Sequence, residues 1–205
     1  MAKNIGLYFG TFNPIHVGHL VIANHMAEYT DLDEVWLVVT PQNPLKKKTS
    51  LLEDYHRLAM VKIAIDDNLK LRASDIEFTL PKPSYTVNTL VYLREKHPDK
   101  NFALIMGEDN LRTLHKWKNY EEILTQHKIY VYPRTLTESE LEEMNQIDSN
   151  SKAEVYNHAN IVLVDAPVMK VSASFIRKSI QDRKDVRYLL TEPVFKYVQE
   201  MNFYR

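Results

Sequence analysis

Several stretches of this chain are apolar without alternation: within Asn4–Phe9, at Val35–Val39 inside Glu34–Thr40, at Phe102–Met106, at Ile129–Tyr132 and within Asn160–Val164. A strand with one face in water alternates apolar and polar residues. A strand that is apolar throughout has to be covered on both faces, which is the situation of a parallel sheet flanked by helices. Each run is closed by a residue that stops a strand, in order Gly10, Pro41, Gly107, Pro133 and Pro167. Between the runs the apolar spacing changes to that of helices. Val17–Tyr29 carries Val17, Leu20, Val21, Met26 and Ala27; Thr86–Glu95 carries Val87, Leu90, Val91 and Leu93. Ser50-Leu51-Leu52-Glu53 has the capping-box pattern, with Leu58, Val61 and Ile65 continuing a helix behind it. Leu69–Ala73 reads as a shorter strand, Asn110–Leu124 as a helix with a break, and Glu138–Glu143 as an acidic, solvated helix. From Ser172 the pattern is helical to the end, with Pro193 in a first turn. The expected fold is one α/β domain over 1–205, a parallel sheet with helices on both faces, in which 172–205 form a C-terminal helical extension.

Composition narrows the function classes. The chain has 205 residues, 44% of them hydrophobic, enough to bury a sizeable core. It carries 26 basic and 27 acidic side chains for a net charge of -1, which argues against a nucleic-acid binder working through a broad basic field. Cysteine is absent, so disulfides, thiolate metal sites and cysteine nucleophiles are excluded. No stretch has the length of a signal-peptide core or a membrane span, and a cytoplasmic location is the expectation.

Glycine is scarce, and its placement is informative. Of 4 glycines, Gly6, Gly10 and Gly18 fall in the first strand, at its end and in the turn into the first helix, and Gly107 ends the central strand. Ligands of parallel α/β sheets bind outside these strand ends. Each glycine alone also fits an ordinary turn. The loop Gly10-Thr11-Phe12-Asn13-Pro14-Ile15-His16-Val17-Gly18-His19 is neither a GxxxxGKS/T phosphate loop nor a GxGxxG fingerprint. His16 and His19 lack the HExxH spacing and the further ligands that zinc needs. Beside a helix start, where free N–H groups favour an anion, they suit hydrogen-bond donation to phosphate oxygens.

The same loop resembles the signature of the HxGH nucleotidyltransferase superfamily. Val171-Ser172-Ala173-Ser174-Phe175-Ile176-Arg177 is similar to that superfamily's second signature, ISSTxIR, with Val171, Ala173 and Ser174 departing from it. Pro44-Leu45-Lys46, Ser84-Tyr85-Thr86, Gly107-Glu108-Asp109 and Leu111-x-x-Leu114-x-x-Trp117 narrow the resemblance to the bacterial nicotinate mononucleotide adenylyltransferases. It covers essentially the whole chain and implies a Rossmann-like nucleotidyltransferase fold. The implied reaction joins nicotinate mononucleotide to the α-phosphorus of ATP and releases pyrophosphate. In that reading His16, His19, Lys46 and Arg177 are catalytic. Gly10, Thr11, Phe12, Gly18, Gly107, Asp109, Ser172, Ser174, Phe175 and Ile176 bind ATP. Thr86, Trp117, Lys118 and Arg134 bind the mononucleotide, with Trp117 stacking on the pyridine ring. Mg²⁺ is expected on the substrate phosphates with no dedicated protein ligands, and the assembly leaves room for a homodimer.

Taken without the resemblance, several of these residues have plainer readings. Lys46-Lys47-Lys48 is a solvated run, Arg177 a surface charge, Ser172, Ser174 and Asp109 helix N-caps, and Trp117 a helical core residue. Other phosphate acceptors, such as phosphopantetheine, nicotinamide mononucleotide or a polyol phosphate, and a non-catalytic nucleotide sensor of the same fold are the alternative functions. His25, His56, His97, His115, His127 and His158 show no partner spacing and are read as structural or surface groups.

Overall fold

The computed structural model of the protein describes residues 2–41, 51–134 and 156–205. Ser50, the Pro44-Leu45-Lys46 segment and the expected helix at Glu138–Glu143 lie outside the described residues.

The chain alternates strand and helix: β1 (Lys3–Gly10), α1 (Val17–Tyr29), β2 (Glu34–Val39), α2 (Asp54–Ala64), β3 (Leu71–Ser74), α3 (Thr86–Lys96) and β4 (Lys100–Gly107). It continues through α4 (Glu108–Arg112), α5 (Tyr120–Gln126), β5 (Ile129–Tyr132), β6 (Ile161–Leu163), α6 (Ala173–Gln181) and α7 (Glu192–Glu200). The strands form one six-stranded sheet in the order β3-β2-β1-β4-β5-β6. Every pairing is parallel.

The burial explains the unbroken apolar runs. Along β2, Val35, Leu37 and Val39 enter a core with α1, α2 and α7, while Trp36 and Val38 enter a second core with α3 and α5. Successive side chains of a strand point to opposite faces, so both faces need apolar residues. Each such side chain, when fully buried, contributes roughly 1.5–3 kcal/mol.

Two expectations need correction and a third holds. Helix α2 starts at Asp54 with Glu53 as its N-cap, so the Ser50–Glu53 pattern is not a working capping box. The break expected in Asn110–Leu124 is present: α4 ends at Arg112, a 3₁₀ turn follows at Leu114–Lys116, and α5 starts behind its N-cap Asn119, which takes a left-handed backbone (φ 52°). The C-terminal part is likewise interrupted between α6 and α7, with Arg183 at φ 56° and a 3₁₀ turn at Arg187–Leu189. Pro193 does sit in the first turn of α7.

Candidate active site

The chain runs from β1 outward through β2 to β3, then crosses to β4 and proceeds outward on the other side. Beyond the carboxyl ends of β1 and β4, where the order reverses, such sheets leave a crevice. A cavity of about 510 Å³ lies there. One wall is the β1–α1 loop with Gly10, Thr11, Phe12, His16, Gly18 and His19. Facing it are Ser172, Ser174 and Arg177 at the start of α6, and Arg134 beyond β5.

The loop is held by close packing. Phe12 has a left-handed backbone (φ 45°), a conformation that costs a residue with a side chain roughly 1–2 kcal/mol. Its ring is almost fully buried, edge-on to His19 at 5.1 Å and to Tyr8 at 5.9 Å between centroids. It fills the space beside Gly10, where a Cβ would stand 2.8 Å from the ring. Gly18 serves a different approach. A Cβ there would meet Val171 at 2.7 Å, so glycine lets the segment before α6 pack directly on the start of α1. None of the glycines has a positive φ; close approach, not turn geometry, is what they provide.

His16 is the N-cap of α1, in extended backbone, and the His16 and His19 rings stack at 3.7 Å with 27° between planes. The His16 backbone N–H donates to His19 Nδ1 at 3.3 Å, which leaves the His19 proton on Nε2. Burial pushes the His16 pKa down to about 4, and its Nδ1 is buried without a hydrogen-bond partner. Two imidazolium ions at that separation would repel by about 4 kcal/mol even at an effective dielectric constant of 20. The free protein therefore offers polar donors here, and its positive potential comes from elsewhere.

Arg177 supplies part of it. Its Nη1 donates to the Asn13 carbonyl at 2.8 Å and its Nη2 to Ser174 Oγ at 3.3 Å. Ser172 caps α6, its Oγ accepting from the Phe175 N–H at 3.2 Å; Ser174 lies within the first turn and is not a cap. Arg134 is paired with Asp109, which stands in the first turn of α4 behind the N-cap Gly107. A Cβ at Gly107 would collide with Asp109 Oδ1 at 2.4 Å, and that oxygen is buried without a partner. Phe175 is exposed, while Ile176 is wholly inside the core and its N–H donates to the Ser172 carbonyl at 3.1 Å.

The remaining predicted residues gather elsewhere. Thr86 opens α3, whose N-cap Tyr85 makes no side-chain cap bond; the Asn88 N–H donates to the Tyr85 carbonyl at 3.0 Å, and the Thr86 and Val87 N–H groups have no helical acceptor. Lys118 Nζ lies 4.8 Å over the Tyr85 ring. Trp117 follows the 3₁₀ turn in extended backbone, partly buried against the same core cluster as Tyr85, with Nε1 buried and unpartnered. Thr86, Trp117 and Lys118 thus share one neighbourhood, and none of them lines the cavity around His16.

Sequence reasoning passed over the residues that brace the loop. Arg57 is fully buried: its Nη1 donates to the carbonyls of Thr11 (2.7 Å) and Thr40 (2.9 Å), its Nε to Leu52 (3.0 Å), and Nη2 pairs with Asp54. It shares a helix face with the buried Met60 and Val61, and a charged residue on that apolar stripe was the available signal. Tyr8 and Tyr132 join hydroxyls at 3.2 Å in the cavity wall, and burial pushes the pKa of both upward. Among the described residues no cluster of three histidine or acidic side chains is arranged to hold a metal ion. No helix among them is long and apolar enough to cross a membrane.

A parallel sheet of this order, with a histidine-bearing loop and a second helix start closing on one cavity, defines a nucleotide-binding α/β protein of the nucleotidyltransferase type. A cytidylyltransferase-like family model matches residues 7–179. A Flavobacterium psychrophilum protein named probable nicotinate-nucleotide adenylyltransferase is 56% identical over 201 residues, 98% of each chain. A Christiangramia forsetii protein of the same name is 55% identical over 205 residues, 100% of each. The chain belongs to the cytidylyltransferase-like family and, within it, to the family of nicotinate-nucleotide adenylyltransferases. The solved Plasmodium falciparum nicotinic acid mononucleotide adenylyltransferase complexed with NaAD shares its fold, with a TM-score of 0.78 at 22% identity over 98% of this chain and 97% of that one.

Proposed function

We propose that this protein transfers the adenylyl group of ATP to the phosphate of nicotinate mononucleotide, forming nicotinate adenine dinucleotide and pyrophosphate. The observation that carries the reading is the stacked His16–His19 pair at the start of α1, set in one cavity with the start of α6 and Arg177. The choice of acceptor follows the relatives' names and the grouping of Thr86, Trp117 and Lys118.

An acceptor phosphate oxygen attacks the α-phosphorus while the bond from that phosphorus to the bridging oxygen of the β-phosphate breaks, and pyrophosphate leaves with the bonding pair. A phosphate monoester is largely deprotonated at neutral pH, so no general base is required. The work of the protein is to align two anions and to meet the charge that grows on the transferred group. His19 Nε2–H and His16 donate to the α-phosphate oxygens. Arg177, with the N–H groups at the start of α6, holds the leaving phosphates, and Lys46 is assigned to the same end. Asp109 receives a ribose hydroxyl through its unpartnered oxygen. The cavity is lined by donors and cations and by no carboxylate among the described residues, and Arg134 in its wall is paired with Asp109. A lining without carboxylates would leave Mg²⁺ to be held by the substrate and not by the protein, and the ion would supply charge neutralisation to the phosphates.

On the acceptor side, Trp117 offers a ring face, and the Thr86 and Val87 N–H groups at the start of α3 suit a carboxylate better than a neutral amide. Pyrophosphate release from ATP, measured with nicotinate mononucleotide, nicotinamide mononucleotide and phosphopantetheine in parallel, tests the proposal. Release with the first and little with the others is expected. Release with none, or best with phosphopantetheine, overturns it.

A further inference from the structure

The last residues of the chain reach into the loop that bears the histidines. Helix α7 ends at Glu200, and the chain then bends through two left-handed residues, Asn202 (φ 54°) and Tyr204 (φ 64°). The left-handed region suits asparagine, but it is unfavourable for an aromatic residue and persists only where the surroundings impose it. Here the surroundings are specific. The Phe203 N–H donates back to the Val198 carbonyl at 3.1 Å, and the Phe203 ring packs edge-on to His56 at 4.7 Å. His56 Nδ1 also meets the Tyr197 hydroxyl at 2.8 Å, which seats α7 on α2.

The bend delivers the Tyr204 hydroxyl to Asn13 Oδ1 at 2.8 Å, across 191 residues of sequence. Asn13 is buried and belongs to the loop between Phe12 and His16. Its Oδ1 also accepts from the Leu52 N–H at 3.3 Å, and its carbonyl accepts from Arg177 Nη1 at 2.8 Å. Burial raises the Tyr204 pKa, while Arg177 and Arg57 both pull it down, so the phenol lies within reach of the two guanidinium groups that grip this loop.

We propose that Tyr204 is a positioning residue of the phosphate cavity: its hydroxyl fixes Asn13, and the Asn13 carbonyl in turn fixes the Arg177 guanidinium. The placement of Arg177 against the triphosphate rests on the function proposed above; the hydrogen-bond relay from Tyr204 through Asn13 does not. A hydroxyl acting in this way affects ATP and leaves the acceptor alone. One that only seals the C-terminal segment affects stability and both substrates together.

The experiment compares the full-length wild type with Tyr204→Phe, which keeps the ring and removes one oxygen. ATP affinity is titrated without acceptor, so this readout stands even if the acceptor has been misassigned. Steady-state constants for ATP and nicotinate mononucleotide, and Tm, are measured alongside. The expected result is an ATP Kd raised about 3- to 10-fold, the range set by one neutral hydrogen bond. The acceptor KM should stay within about twofold, and Tm should move by only a few degrees. In an Asn13→Ala background the same Tyr204→Phe change should have no further effect on ATP Kd. An unchanged ATP Kd, parallel weakening of both substrates with a large fall in Tm, an unfolded variant, or a full-sized further loss in the Asn13→Ala background each overturns the proposal. A wild type that binds ATP with this Tyr204 dependence but transfers nothing to the mononucleotide would instead remove the acceptor assignment.

Discussion

Around the phosphate cavity two backbone carbonyls of the β1–α1 loop have charged donors: Thr11 takes Arg57, which also holds Thr40, and Asn13 takes Arg177. Around Thr86, Trp117 and Lys118 the ties are of another kind, a lysine over the Tyr85 ring, a 3₁₀ turn and an indole N–H with no partner. The first region is fixed before substrate arrives. The second keeps open donors and has less to lose by moving. Preorganisation belongs where charge develops in the transition state, because donors already in place need no reorganisation during the reaction. An acceptor subsite has only to bind, and ligand contacts can complete it.

The sharpest way to break this contrast is at Arg57. Arg57→Ala leaves the buried carbonyls of Thr11, Thr40 and Leu52 without this donor and leaves Asp54 to Lys82, which should cost about 3–5 kcal/mol, seen as a fall in Tm of roughly 10 °C. ATP binding should suffer with it. His19→Ala, which touches the chemistry and little of the bracing, should instead lower kcat by about 10²–10³ with Tm nearly unchanged in a thermal melt. Near-normal turnover in a folded His19→Ala protein would sink the catalytic assignment.

The His16 pKa gives a test by pH. Its folded pKa of about 4 lies below the unfolded value near 6.5, so between those limits the unfolded chain binds the extra proton. The stability it contributes is full above pH 6.5 and falls as pH drops towards 4, by on the order of 3 kcal/mol. Denaturant melts of wild type and His16→Asn across that window should differ in slope, the variant being flatter.

On the acceptor side, Trp117→Ala should raise the KM for nicotinate mononucleotide by an amount corresponding to roughly 1–3 kcal/mol of stacking, with ATP Kd unchanged. If ATP binding weakens equally, the two regions are not separable as described. The smallest effect concerns Glu77, a buried carboxyl whose Oε1 accepts from Thr89 Oγ1 at 2.8 Å beneath α3. Burial raises its pKa above the unfolded value, so its contribution is most favourable below the unfolded pKa and is lost as pH rises through the folded one. Glu77→Gln should therefore gain about 1 kcal/mol or less at pH 7, read as a slightly higher Tm.

What could be read from the residues followed the range of the interactions. Strands such as Phe102–Met106 declare themselves because burial on both faces leaves a local apolar run. The His16–His19 loop and the Ser172–Arg177 segment are legible as short motifs. The bracing is not: Arg57 meets Thr11 across 46 residues, Tyr8 meets Tyr132 across 124, and nothing local to any of them marks the partner. Trp117 reads as helical because Leu111 and Leu114 precede it at helical spacing. The helix stops instead at Arg112, and Trp117 is extended and Asn119 left-handed with no glycine or proline to announce either. Ser174 resembles a cap in a serine-rich start and instead spends its hydroxyl on Arg177.

The Arg177–Asn13 and Tyr204–Asn13 bonds join the two ends of the chain, across 164 and 191 residues. During synthesis the histidine loop is made 164 residues before Arg177 and 191 residues before Tyr204. At about 5–20 residues per second, roughly 10–40 seconds pass in which β1 and α1 exist without the groups that fix their loop. A nascent chain in that interval has His16 and His19 but neither Arg177 nor Tyr204, so the wall that faces the histidines is completed in one late step and not gradually.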